Sequence, residues 1–378
     1  MSASSGVCGW LVLIVLILSL SLTRGMIALA HTRGWVVNPK SDRWSQTPTA
    51  LYGGVAIVAA FAVGAVAAMF LFGAPQRFDL IGLFIGAAIL FAVGVRDDAH
   101  PLNPQVKLIG QILAIMPFLV GAGLAFTSTT FVLSIPLVLF WMLALANAFN
   151  LLDNMDGLCA GTAAIAGTAI GGYSLLHNLL LPGVLSILVT ASCLGFLVYN
   201  FRTRGPARIF MGDCGSMFLG YMLSGLAVIA FCPAKPIPLD LRAAQCVLPL
   251  LIMAIPIFDT SLVIIIRKWE GRAISQGGRD HSSHRLVYAG RTDKQAVLLL
   301  CSISAVGGGI AILLGQLQNS AIVFGAVAVE AALLARFGMY LNRFREAIKP
   351  VVRPLARVSD VENGRHKRVE TASRRDRN

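Results

Sequence analysis

Charge is scarce in this 378-residue chain: Asp, Glu, Lys and Arg together make up 13% of it. A soluble domain carries about 25%. The acids are the scarcer sign, with 18 Asp and Glu against 31 Lys and Arg. Paired cysteine motifs are missing too; the seven cysteines show no CxxC or other metal spacing. Most, such as Cys8, Cys193, Cys246 and Cys301, sit inside apolar runs, where they read as small apolar fillers. These shortages exclude a disordered chain, a disulfide scaffold and a cysteine-ligated metal domain. The residues that fill the space are apolar: 56% of the chain, with a mean hydropathy of +0.75. One soluble core cannot hide that much, because such cores stop growing beyond roughly 250–300 residues. The composition is that of a multi-span membrane protein.

Continuous apolar runs of about 20 residues fall at roughly 7–30, 51–73, 80–95, 108–126, 131–147, 158–177, 183–200, 215–232, 245–266, 295–314 and 320–340. Pro, Gly, Asn or charge separates them. They do not alternate, which excludes a closed β-barrel. The expected fold is all-α and polytopic, with about eleven transmembrane helices. The first run has no Lys or Arg before it and no clear small-residue cleavage site, so it reads as a retained span. Residues 1–344 form the membrane domain. Residues 345–378 form a basic tail, poor in apolar residues, expected to lie disordered along anionic lipid.

Charge sets the orientation. With the N-terminus outside, the basic residues crowd into the inner loops: Arg33, Lys40 and Arg43; Arg96 and Lys107; Arg202, Arg204 and Arg208; Arg267 to Lys294; and Arg343 onward. The outer loops keep Arg77, Lys235 and Arg242. Basic loops are cytoplasmic, so the N-terminus is expected outside and the C-terminus inside. The net charge of +13 is then a topology signal. Nucleic-acid binding is a poor reading, because no single module carries the basic residues.

The aspartates gather at the inner helix ends: Asp97, Asp98, Asp153, Asp156, Asp213 and Asp259, then Asp280 in a loop. A secondary transporter would place its acids near the midplane. Carboxylates converging at one face need a cation or basic partners between them. Oxygen ligands without Cys or a His triad suit Mg²⁺ or Mn²⁺, and such an ion at that surface points to a phosphate substrate.

Four polar islands carry these acids. Gly94-Val-Arg-Asp97-Asp98 is followed by Lys107; adjacent aspartates cannot share a helix face, so one can hold a metal or a cap while the other works as a base. Asn147, Asn150, Asp153 and Asp156-Gly157 recur every three to four residues, along one helix face; capping of two consecutive spans is the plainer reading. Phe210-Met-Gly212-Asp213-Cys-Gly-Ser places glycines around one aspartate before a span, where backbone N–H groups are free for phosphate. There Asp213 would hold the metal or merely cap the helix. The loop Arg279-Asp280-His281-Ser-Ser-His284-Arg285 has histidines and arginines suited to a pyrophosphate, or simply obeys the basic-loop rule.

Together, in this order and on one face, these islands resemble the polyprenyl-phosphate N-acetylhexosamine-1-phosphate transferases. That superfamily includes enzymes that start enterobacterial common antigen, O-antigen and teichoic acid linkage units, the translocase making lipid I, and a eukaryotic dolichyl-phosphate enzyme. Asp97-Asp98 with Lys107 resembles its DD…K segment, Asn147–Gly157 its NxxNxxDxxDG, Met211–Ser216 its MGDxGS, and residues 281–285 its HxHH loop. Pro48 with Gly53-Gly54 resembles its early PT…GG. The likeness spans about residues 33–295. It implies transfer of N-acetylhexosamine-1-phosphate, by default N-acetylglucosamine, from a UDP-sugar to a polyprenyl phosphate. UMP is released and Mg²⁺ (or Mn²⁺) is required, at the cytoplasmic face of the bacterial inner membrane. The family also suggests a homodimer.

Residue by residue, the resemblance implies that Asp97, Asp98 and Asp156 are the catalytic aspartates. Asp97 and Asp98 would stand nearest the attacking lipid phosphate, and Asp156 with Asp153 would shape the nucleotide-sugar site. Asn150 and Asp213 would bind Mg²⁺. Asn147 and Gly212 would line the substrate site, and Lys107, His281, His284 and Arg285 would contact pyrophosphate. Three departures stand out. Ser283 replaces the middle histidine of HxHH. The triple-histidine patch of the lipid-I branch is absent, which argues against a muramoyl-pentapeptide donor. Ser-Asp-Arg43-Trp44-Ser stands where the family often has Arg-Lys-x-His. A rival, CDP-alcohol phosphatidyltransferase, would explain Asp156-Gly157 but needs an arginine where Gly161 stands and two later aspartates that are missing.

Overall fold

The structure is a computed structural model that describes residues 2–37, 48–73, 77–125, 129–232, 238–273, 278–317 and 319–344. The expected tail at 345–378 and the loop around Arg43 and Trp44 lie outside these residues. Within them the chain forms helices α1 (Ser2–Arg33), α2 (Gly53–Phe72), α3 (Phe78–Ala99), α4 (Pro104–Ala125), α5 (Thr129–Leu152), α6 (Leu158–Leu176), α7 (Leu180–Asn200), α8 (Asp213–Phe231), α9 (Leu239–Ile252), α10 (Ala254–Trp269), α11 (Ser282–Tyr288), α12 (Asp293–Gly315) and α13 (Ser320–Asn342). Ten are long and apolar enough to cross a membrane, and α9 with α10 makes an eleventh span if counted as one. This is a multi-pass membrane protein, with its helices close to the apolar runs in the sequence.

The run at 245–266 is not one straight helix. α9 and α10 meet at Met253 with a 72° bend. Proline explains the break: Pro256 has no N–H to return to the Ile252 carbonyl, and Pro249 lies in the turn before.

The helices pack around α8. Cys214 to Phe231 are all buried, with α3, α5, α6 and α7 among the neighbours. Small residues allow the closest approaches. A Cβ on Gly54 would meet the backbone nitrogen of Gly215 at 2.3 Å, and one on Gly94 would meet the Cα of Cys214 at 2.4 Å. α2 and α3 therefore touch the first turn of α8 backbone to backbone.

A small sheet, unforeseen from sequence, closes the same end. Strand β1 (Val36–Val37) pairs antiparallel with β2 (Thr49–Ala50), and Ala50 bridges to Ile209. Gly53 N–H donates to the Phe210 carbonyl (2.9 Å) and Gly54 N–H to the Met211 carbonyl (2.8 Å). These bonds tie the start of α2 to the loop that leads into α8.

Candidate active site

The C-terminal ends of α3 and α5 and the N-terminal ends of α4 and α8 lie at one end of the bundle, and Lys107 joins them. Its ammonium, on the first turn of α4, contacts Asp97 Oδ2 at 2.9 Å, Asn150 Oδ1 at 3.2 Å and the Asp213 carboxylate. Asn150 donates to Ser216 Oγ at 3.0 Å, which keeps the α5 tip against the first turn of α8. The DD…K, NxxNxxDxxDG and MGDxGS segments, far apart in sequence, thus meet around one cation.

Asp98 is placed differently from its neighbour. Its Oδ1 accepts the Asp213 N–H at 2.7 Å and its Oδ2 the Cys214 N–H at 3.0 Å. It caps α8 from a separate helix, satisfying two of the free donors at a helix start. Gly212 makes this fit: its backbone (φ 79°, ψ 173°) is a region essentially reserved for glycine. A Cβ there would sit 2.7 Å from Asp98 Oδ2. Asp97 is anchored through Oδ1, which accepts the Leu102 N–H at 2.6 Å.

Asp153 follows α5 and feels the crowd of acids. Burial first, then the carboxylates of Asp213, Asp98 and Asp156, push its carboxyl up to about 8, partly offset by a hydrogen bond from the Gly212 backbone. Asp156 holds the loop before α8: its Oδ2 accepts the Ala207 N–H at 3.0 Å. Burial raises its carboxyl as well, against that bond. Asn147 lies one turn deeper on α5 and exchanges amide hydrogen bonds with Gln111 at 2.9 and 3.1 Å.

The loop at 279–285 forms a second cluster. His281 Nδ1 lies 2.7 Å from Asp259 Oδ2, and Ser282 donates to Asp259 Oδ1 through N–H (2.7 Å) and Oγ (2.6 Å). Asp280 receives a two-point contact from Arg267 (2.9 and 2.8 Å) and another from Arg272 at 2.8 Å. That pairing holds its carboxyl near 2 despite burial. Arg285 donates to the carbonyls of Asp280 (3.0 Å) and Leu341 (3.3 Å) and is 1% exposed, so here it ties α11 to the end of α13. His284 is buried and neutral at pH 7, its imidazole pushed down to about 4 by burial and then by His281. Ser283, at the position of the family histidine, donates to Asn154 Oδ1 at 2.7 Å. That bond joins this cluster to the loop of Asp153.

Several participants escaped the sequence reading. Gln111 carried a usable signal, standing four residues after Lys107 on the same helix face. Asn200 did not: it ends α7 and accepts from Gly157 N–H (2.7 Å) while donating to the Ile209 carbonyl (2.9 Å). Tyr52 holds a left-handed backbone (φ 67°). Its phenol is raised by burial and by the nearby Asp98 carboxylate.

The donors around Lys107 are oxygens, the hard set that suits Mg²⁺ or Mn²⁺. Among the described residues no three His, Cys, Asp or Glu side chains enclose a metal by themselves. Mg²⁺ commonly takes only one or two carboxylates and completes its shell with water and substrate phosphates, so Asp213 and Asn150 fit such an ion.

Comparison with known proteins identifies the family. The model of glycosyl transferase family 4 matches residues 80–231, from α3 through the end of α8. A Bacillus subtilis protein named "Probable undecaprenyl-phosphate N-acetylglucosaminyl 1-phosphate transferase" is 35% identical over 263 residues, 67% of this chain and 70% of its own length. The chain belongs to glycosyl transferase family 4. A Mycobacterium tuberculosis decaprenyl-phosphate N-acetylglucosaminephosphotransferase is 31% identical over 343 residues, covering 80% of this chain and 81% of that relative. A phospho-N-acetylmuramoyl-pentapeptide-transferase of Desulforudis audaxviator is 32% identical over 252 residues, 57% of this chain and 74% of its own. The family 4 segment contains Asp97, Asp98, Lys107, Asn150, Asp153 and Asp213; the cluster at 279–285 lies beyond it.

Proposed function

We propose that this family 4 protein transfers N-acetylhexosamine-1-phosphate, with N-acetylglucosamine as the sugar, from its UDP derivative to a polyprenyl phosphate. A lipid-phosphate oxygen attacks the β-phosphorus, the bond to UMP breaks, and polyprenyl-diphospho-sugar stays in the membrane. The observation that carries this reading is the meeting of Asp97, Lys107, Asn150 and Asp213 from four helices at one bundle end. Relatives named for this transfer support the substrate classes.

Lys107, released from the carboxylates by an incoming diphosphate, neutralises oxygen charge as the bond to UMP breaks. Asp97, freed on the same side, orients the lipid phosphate. That phosphate has its second pKa near neutrality, so little base strength is needed. Asp98 holds the start of α8, and with it Asp213, in register. Asp153 and Asp156 shape the wall facing the nucleotide sugar, and neutral His284 with His281 borders it. Asn150 and Asp213 would hold a divalent ion, which supplies charge neutralisation to the diphosphate.

We read this end as cytoplasmic and the opposite end as lying outside the inner membrane, on the rule that basic loops face the cytoplasm. The decisive assay is purified protein with undecaprenyl phosphate and a panel of UDP-sugars, scored by UMP release. UDP-N-acetylglucosamine should turn over, chelation should stop the reaction, and Mg²⁺ or Mn²⁺ should restore it. No UMP from any sugar with the lipid acceptor present would overturn the proposal.

A further inference from the structure

A cysteine pair lies at the end of the bundle remote from the aspartates. Cys232 ends α8, about 30 Å along the helix from Asp213, and Cys246 lies on α9. Their sulfurs are 2.9 Å apart, and Cys246 Sγ also faces the Phe231 carbonyl at 3.8 Å. No other pair of cysteines among the seven is in such contact among the described residues.

The surroundings hold these thiols together. Phe231 stacks on Tyr173 with ring centroids 3.8 Å apart, and Tyr173 stacks on His177 at 4.0 Å. His177 reaches the Gly315 carbonyl through Nε2 at 3.2 Å. The ends of α6, α8 and α12 are thereby fixed at one level, and α9 crosses beside them. Arg242 stands one turn before Cys246 on α9.

We propose that Cys232 and Cys246 form a structural disulfide that staples the end of α8 to α9 on the extracytoplasmic side. The compartment rests on the orientation proposed above, because disulfides persist outside the cytoplasm and are rare within it. The oxidant is a disulfide of the oxidising compartment, on a protein or a small molecule. One cysteine thiolate attacks that disulfide and expels one of its sulfurs as a thiolate. The second cysteine thiolate then attacks the mixed disulfide and expels the other. Two protein thiols lose two electrons and two protons, and one external disulfide becomes two thiols. The bond length required, about 2.0 Å, is a short step from the present separation. The staple would fix the first half of the bent α9–α10 span against the buried helix that bears Asp213.

The test uses full-length protein in its host membrane. Cells are lysed directly into denaturant containing N-ethylmaleimide, the protein is digested without reductant, and the peptides are weighed. The Cys232 and Cys246 peptides should appear as one linked species, two hydrogens lighter than their sum, which separates on reduction. Cys232→Ser and Cys246→Ser should each abolish it. In the Cys246→Ser variant, a membrane-impermeant maleimide should label Cys232 on intact spheroplasts. Recovery of both wild-type cysteines as maleimide adducts, with Cys232 still labelled from outside, would overturn the disulfide and leave the orientation standing. Labelling of Cys232 only after permeabilisation would overturn the orientation, and the staple with it.

Discussion

Lys107 is the residue on which the site turns, because its ammonium bridges two carboxylates from different helices. Lys107→Ala leaves Asp97 and Asp213 without the cation between them and removes the donor proposed above to meet the diphosphate. UMP release should fall about a hundredfold or more, the usual loss when such a donor is deleted. Asp213→Ala should abolish UMP release while membrane insertion is retained, which a membrane-fraction blot checks. Near-normal turnover in that variant at saturating substrate would remove Asp213 from the site. In the neighbouring cluster, Asp280 is a stability residue. Its carboxyl is held near 2 by Arg267 and Arg272, below the usual value of about 3.9. A lowered carboxyl contributes stability above its unfolded value and loses it as pH falls toward 2. Asp280→Asn removes the charge paired with buried Arg267 and should cost about 3–5 kcal/mol, read as a lower Tm in detergent at pH 7. The gap between wild type and variant should narrow as the pH drops from 4 toward 2.

At the scale of elements, the start of α8 is the decisive joint. Three separate devices meet there: Asp98 capping two N–H groups, Gly212 in a glycine-only conformation, and the glycines of α2 and α3 that allow backbone contact. Gly212→Ala should cost about 1–3 kcal/mol from backbone strain alone. It should also displace Asp98, so that activity falls at temperatures where the variant is still folded. Asp98→Asn keeps the shape but replaces one acceptor oxygen with an NH₂ group facing a backbone N–H. A full-rate Asp98→Asn enzyme would show that the charge serves only the helix end. Much of this joint was legible in the sequence: the glycines flanking Asp213, the paired aspartates and the positions of the apolar runs. The assignment of Asp98 to the α8 backbone was not, because a cap from another helix has no local spacing to reveal it. The small sheet had two-residue strands, too short for any alternation. The bend at Met253 was signalled by Pro249 and Pro256, yet the apolar run passes through them unbroken. Arg285 read as a phosphate ligand by residue type, and only the structure shows its guanidinium on the Asp280 and Leu341 carbonyls.

For the whole molecule, alternating helices bring residues from 97 to 285 to one end. If that end is cytoplasmic, a protease site or reporter placed after Asn342 should be accessible from the cytoplasm, and one in the segment 74–76 from outside. The reverse result would move the proposed reaction to the other side of the membrane. The burial of α8 bears on how the protein lives in its solvent. The helix carrying Asp213 is buried from Cys214 to Phe231, while α1, α4 and α13 present Trp10, Val120, Leu333 and other large side chains outward. Changes in acyl-chain length or bilayer thickness therefore fall on the outer helices, which can tilt, and not on the one that bears Asp213. Catalytic alignment should thus survive shifts in lipid composition, such as those that follow a change in growth temperature, with the perimeter acting as a mechanical buffer.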